Sequence, residues 1–259
     1  MIKNSLKNTF VIIKRNKSKL LIIFFLQMLW FIALTSVTHQ TIIPATEHAK
    51  SLVDYYNNID TKDPNAILGE DPLAIYKDYN KMLYYLKIML LFVSLSFIII
   101  NGLIWALTDN LINKKKLKDF AIYLLNFSIL TIFFALIIYI FTSNTLKSSL
   151  GDLLPLITII LLSILLSYSL FISYSLIGRR KLKEILKLTF KISIFKFHYV
   201  ILVYIINLAI IFLLTYLISL TIELNIILLS ALAVLLVFSF IFARLFLIII
   251  INKLAKKIR

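Results

Sequence analysis

Residues 226–251 read IILLSALAVLLVFSFIFARLFLIIII, an unbroken apolar run with one charge, Arg244. As a helix rising 1.5 Å per residue, it outreaches the ~30 Å hydrocarbon core of a bilayer. Five further runs of this kind lie at 20–41, 86–107, 121–142, 153–177 and 199–222. Outer-membrane barrel strands alternate apolar and polar residues over ~10 positions, and these runs do not. The first run exceeds the ~7–15 apolar residues of a signal peptide, and no small-x-small cleavage site follows Thr38. The fold class read from the sequence is therefore all-α. It is a polytopic integral membrane protein with six transmembrane helices, taken as one domain over 1–259. Composition agrees, because 61% of the residues are apolar against ~45–50% in soluble domains.

The net charge of +16 would point to nucleic acid in a soluble protein. Its distribution points to the membrane instead. Of 28 Lys and Arg, six lie in 1–19, four in 108–120, seven in 178–198 and four in 252–259. These segments all fall on one side of a six-span chain, and nine of the 12 acids fall on the other. By the positive-inside rule both termini are cytoplasmic, and the basic segments face anionic lipid headgroups rather than nucleic acid.

Residues 42–85 form the longest segment between spans, on the external side. Pro44 fits a first helical position, and Ala45, Ala49, Leu52, Val53 and Tyr56 follow at helical spacing. Thr61-Lys62-Asp63-Pro64-Asn65 reads as a turn, and Asp71 reads as the cap of a helix beginning at Pro72. The expectation is a two-helix external cap over 42–85, with one helix over about 72–107. On the cytoplasmic side, 1–17 and 179–197 read as basic amphipathic helices lying in the interface. In 179–197, Arg180, Lys183, Lys187 and Lys191 share one face with Glu184, and Ile185, Ile192 and Phe195 would dip into the acyl boundary.

The two amphipathic segments resemble each other. Leu6-Lys7-Asn8-Thr9-Phe10 matches Leu186-Lys187-Leu188-Thr189-Phe190 at an offset of 180, and a span follows each at Leu20 and Val200. This layout, a Leu-Lys-x-Thr-Phe helix and then a span in a six-span chain, resembles the YciC-like prokaryotic membrane proteins. It also resembles the membrane domain attached to some glycerophosphodiester phosphodiesterases. The resemblance implies a fold and carries no catalytic motif. The 42–85 segment is longer than that layout has.

Few residues carry chemistry. No Asp, Glu, Lys or His lies within the central part of any span; Arg244 is the one charged side chain there, and it is expected either to snorkel to a lipid phosphate or to line a pore or substrate path. With Arg180, Lys183, Lys187 and Lys191 it makes up the candidate lipid-phosphate contacts. Asn101, Asn126, Thr131 and Asn207 are candidate intramembrane polar contacts, serving either helix packing or a polar conduit. Asp109 and Asp119 flank Lys114-Lys115-Lys116 and read as part of a solvated loop. His39 and His48 share a side with Glu47, Glu70 and Asp71, but no HExxH or i,i+4 His pair occurs. GxxxxGK, GxGxxG and Gly-x-Ser-x-Gly are absent, as are cysteines. No metal and no cofactor are expected. Lys, Ile and Asn are frequent and Gly is scarce, which points to the plasma membrane of a prokaryote. The leading expectation is a non-enzymatic scaffold or accessory subunit of a membrane complex, meeting a membrane or external protein partner through 42–85. The alternatives are a transporter or channel-like protein using a polar path through spans three to five, and a lipid-modifying membrane enzyme.

Overall fold

A computed structural model of the chain describes residues 1–58, 72–113, 117–148, 153–178, 180–221 and 226–258. The described residues are helical apart from short breaks. In chain order the helices are α1 (Ile2–Arg15), α2 (Lys17–Asn58), α3 (Pro72–Ser96), α4 (Gly102–Asn113), α5 (Leu117–Ser148), α6 (Leu153–Leu176), α7 (Leu182–Phe195), α8 (Phe197–Thr221) and α9 (Ile226–Ile258), and a π-helical turn, Phe97–Asn101, joins α3 to α4. Among the described residues, six helical stretches are long and apolar enough to cross a bilayer, at Lys17–Tyr55, Ile75–Asn113, Asp119–Phe141, Ile157–Leu176, Phe197–Thr221 and Ile226–Ile258. Each contains most or all of one expected span. The anticipated turn at Thr61–Asn65, the cap at Asp71 and the lysines Lys114–Lys116 lie outside the described residues.

Large apolar side chains face outward on most of these helices, Phe212 and Ile226 among the most exposed. That is the surface a hydrocarbon solvent allows and water does not. The chain forms two compact units, one of Met1–Gln27 with Asn101–Arg259 and one of Met28–Ile100.

In the first unit α9 is the central helix, touching α1, α4, α6, α7 and α8. Every residue from Leu245 to Ile251 is buried, and a helix apolar all round is buried all round. Lipid is as oily as leucine, so close fit rather than the hydrophobic effect holds these helices together. Gly102 shows this at the start of α4. A Cβ there would stand 3.2 Å from Phe127 Cδ1 and 3.3 Å from Leu124 Cδ2, so the bare glycine is what lets α4 and α5 approach.

The offset of 180 seen in five residues extends through a whole substructure. α1 and α7 each have 14 residues. Each ends at a break, at Asn16 (φ −124°, ψ 38°) and at Lys196 (φ −122°, ψ 17°), and a span begins at the next residue. The pairs Ser5/Ile185, Thr9/Thr189, Leu20/Val200, Ile23/Val203 and Gln27/Asn207 are all buried, while Phe10 and Phe190 are both exposed. The two amphipathic helices differ in their seats. α1 lies on α9, whereas α7 lies on α6 and α9.

This packing corrects one expectation. Ile185 and Ile192, assigned to the acyl boundary, are fully buried with Leu188 and Thr189. These four recur at i, i+3, i+4 and i+7 and point into protein. A second apolar face, with Phe190, Ile194 and Phe195, is the exposed one.

The second unit holds the rest of α2, with α3 and the residues following it to Ile100. His48 Nδ1 lies 3.0 Å from Asp78 Oδ1, and its ring stacks on Tyr85 with centroids 6.1 Å apart. Trp30 meets Phe97 edge-on, with centroids 6.4 Å apart. The two helices therefore run antiparallel along their length. Pro44 does not begin a helix as expected but sits inside α2. Its fixed φ suits the helix, and the cost falls on the hydrogen bond its missing N–H cannot make. Segment 42–58 thus continues the first span, and 72–85 runs into the second.

Candidate functional site

Two polar features lie in the first unit. The deeper one centres on Arg244 of α9. Its Nη2 donates to Gln27 Oε1 of α2 at 2.8 Å, and its guanidinium carbon sits 5.5 Å from the centroid of the Trp105 ring of α4. Nη1 is buried with no hydrogen-bond partner among the described residues. Arg244 Nη2 therefore turns inward, where Gln27 offers an acceptor inside the protein.

Around this arginine stands an aromatic wall. Trp105 lies against Phe171 and Tyr174, and Tyr174 stacks on Phe127 with centroids 4.1 Å apart. Tyr123 Oη donates to the Tyr174 carbonyl at 3.0 Å, and the Tyr174 and Thr131 hydroxyls share a hydrogen bond of 2.7 Å. Thr131 also donates to the Phe127 carbonyl at 2.7 Å, and Ser128 to that of Leu124 at 2.9 Å. Hydroxyls tied to the carbonyl four residues back are satisfied within their own helix. Asn207 Nδ2 reaches the Ala243 carbonyl at 3.5 Å, next to Arg244, so the matched positions Gln27 and Asn207 both meet α9 at neighbouring residues. Asn101 and Asn126 are buried as well, Asn101 with its Nδ2 unpaired among the described residues.

The second feature is a cavity of about 440 Å³ where α1, α4, the α6–α7 connection and the last turns of α9 meet. Its polar lining is Asn8, Asn113, Arg180, Asn252, Lys253 and Lys256. All four segments that carry the excess of Lys and Arg contribute to it, so the fold gathers them at one place. Arg180 Nη1 donates to the Leu176 carbonyl at 3.2 Å and to Asn252 Oδ1 at 3.3 Å, and Asn252 Nδ2 reaches the Ser175 carbonyl at 3.4 Å. The last carbonyls of α6 carry the negative end of a helix dipole, and a cation there is favourable. Lys253 Nζ donates to Ser5 Oγ at 2.9 Å, which fastens α1 to α9 beside the cavity. Asp109 is not solvated as expected. It is buried, and its Oδ1 accepts from Asn113 Nδ2 at 2.7 Å, one helical turn on.

Of the lipid-phosphate candidates, the structure brings Arg180 to this cavity and places Arg244 elsewhere. Lys183 and Lys187 are exposed on α7 and Lys191 is half-buried there, and none of the three lines the cavity. Lys253 and Lys256 were missed. Their signal was present, since Ile249, Asn252, Lys253 and Lys256 recur at i, i+3, i+4 and i+7. His48, considered beside Glu47 as a metal ligand, has Asp78 and Tyr85 as its neighbours. Comparison of the chain with family models, with curated proteins and with solved structures finds no match.

Proposed function

We propose that this multi-pass membrane protein is a non-enzymatic scaffold or accessory subunit of a membrane complex, and that it docks a protein partner through the helix pair 42–58 and 72–85. In this reading it sits in the plasma membrane of a prokaryote with both termini in the cytoplasm and the helix pair outside. The observation that carries the reading is the state of the pair. α2 has 42 residues, about twice what a bilayer core needs. Its far portion is fastened to α3 by the His48–Asp78 and His48–Tyr85 contacts. α3 meanwhile leaves Leu73, Tyr76, Tyr79 and Tyr84 exposed. Leu73, Tyr76 and Tyr84 fall on one stripe of the helix. Tyrosines combine a large apolar ring with a polar tip and are enriched at the cores of protein interfaces. A helix pair already fastened together and presenting such a stripe has less freedom to lose when it binds.

Site-specific photo-crosslinking in cells tests this reading. A crosslinker at Tyr76 is expected to give one discrete adduct with another protein, and a crosslinker at Leu125, on an outward face of α5, is expected not to give it. Crosslinking only to lipid at both positions contradicts the docking role.

A further inference from the structure

We propose that the cavity between α1, α4, the α6–α7 connection and α9 is a binding site for a phosphate group, carried by an anionic lipid or present as free phosphate. Arg180, Lys253 and Lys256 bring three positive charges to its wall, and no carboxylate stands among the described residues that line it. Like charges held together this way repel one another, and a bound anion relieves that repulsion. Two of the three cations are not loose surface groups. Arg180 is braced by Asn252 and the Leu176 carbonyl, and Lys253 by Ser5 Oγ, so two of the three are positioned before any ligand arrives. Arginine offers a planar fork suited to phosphate oxygens, and lysine adds a point charge. Asn8 and Asn113 supply neutral polar groups on the opposite helices. Ile12, Ile112 and Ile249 line the rest, a wall that suits the glycerol and first methylenes of a lipid. The volume falls within the range of small-molecule sites. The position is also right for a headgroup. The cavity lies where four basic segments meet at the ends of spans, and basic pockets between transmembrane helices are where anionic headgroups are held.

The test uses the purified full chain in a neutral detergent and reads thermal stabilisation on titration with phosphatidylglycerol, phosphatidylcholine or inorganic phosphate. The expected result is stabilisation by phosphatidylglycerol and not by phosphatidylcholine, whose choline cation opposes the site's charge. The double variant Lys253→Gln/Lys256→Gln is expected to weaken that binding about tenfold or more, and Lys256→Gln alone, at an exposed position, by a smaller factor. Lys183→Gln removes one charge from the neighbouring helix without touching the cavity and is expected to leave binding unchanged. Stabilisation by inorganic phosphate alone, displaced by neither lipid, identifies a soluble ligand. Stabilisation by the anionic lipid alone identifies a headgroup. Equal binding of the two lipids, or equal losses in Lys183→Gln and Lys256→Gln, overturns the proposal, because both mean diffuse attraction rather than a site.

Discussion

Replacing Gln27 with leucine takes away the one hydrogen-bond acceptor that Arg244 has among the described residues, and leaves its Nη1 and Nη2 without a partner among them. A hydrogen bond to a charged group contributes about 1.5–3 kcal/mol. Interhelical hydrogen bonds between membrane helices average only ~0.6 kcal/mol. The larger range governs here, because the donor is charged and Nη1 already lacks a partner among the described residues. We expect Gln27→Leu to cost about 2 kcal/mol, which for a chain of this size lowers the melting temperature by about 4–8 °C. The reasoning makes a sharper claim about the pair. The cost is that of an orphaned cation, so it should vanish when the cation is removed as well. In a cycle of Gln27→Leu, Arg244→Met and the double variant, melted in one detergent, the double variant is expected to be more stable than the sum of the singles by about 2 kcal/mol. Additivity within ~0.5 kcal/mol refutes the claim that Gln27 exists to satisfy Arg244.

Tyr174 should show a graded response. Tyr174→Phe loses the bond with Thr131 and costs about 1 kcal/mol, while Tyr174→Ala empties the stack on Phe127 and costs about 3–5 kcal/mol, both read by thermal unfolding. Gly102→Val forces side-chain atoms into the contact with Phe127 and Leu124 and should cost about 1–3 kcal/mol in the same measurement. His48→Ala removes the tie to Asp78 and Tyr85, and is expected to raise amide hydrogen exchange in 45–58 and 72–85 while leaving α9 protected.

The spans were legible because a bilayer imposes a length on its helices, and length with hydropathy is a local property of the chain. The amphipathic helices were legible for a similar reason. Leu-Lys-x-Thr-Phe at 6–10 and 186–190 marks two helices of equal length with equal breaks, and the pattern lies within a few residues. What the sequence hid depends on distant partners. Arg244 and Gln27 are 217 positions apart, and nothing near either one says that they meet. The cavity draws on four segments, so its basic wall emerges only when they are assembled. For α7 the error lay in the choice of face. Ile185 and Phe190 are both apolar, and only the neighbouring helices decide that Ile185 is buried and Phe190 exposed. Pro44 was misplaced because a proline tolerated inside a long helix looks locally like one that begins a helix.

The central claim of the proposed function is a topology in which the basic segments are cytoplasmic and residues 42–58 and 72–85 are external. The chain contains no cysteine, so single cysteines report without interference. Lys77→Cys, exposed on α3, and Lys187→Cys, exposed on α7, are the direct probes. In intact cells an impermeant maleimide is expected to label the cysteine at 77 and to spare the one at 187 until the membrane is opened. Labelling of both in intact cells, or of 187 and not 77, contradicts the account.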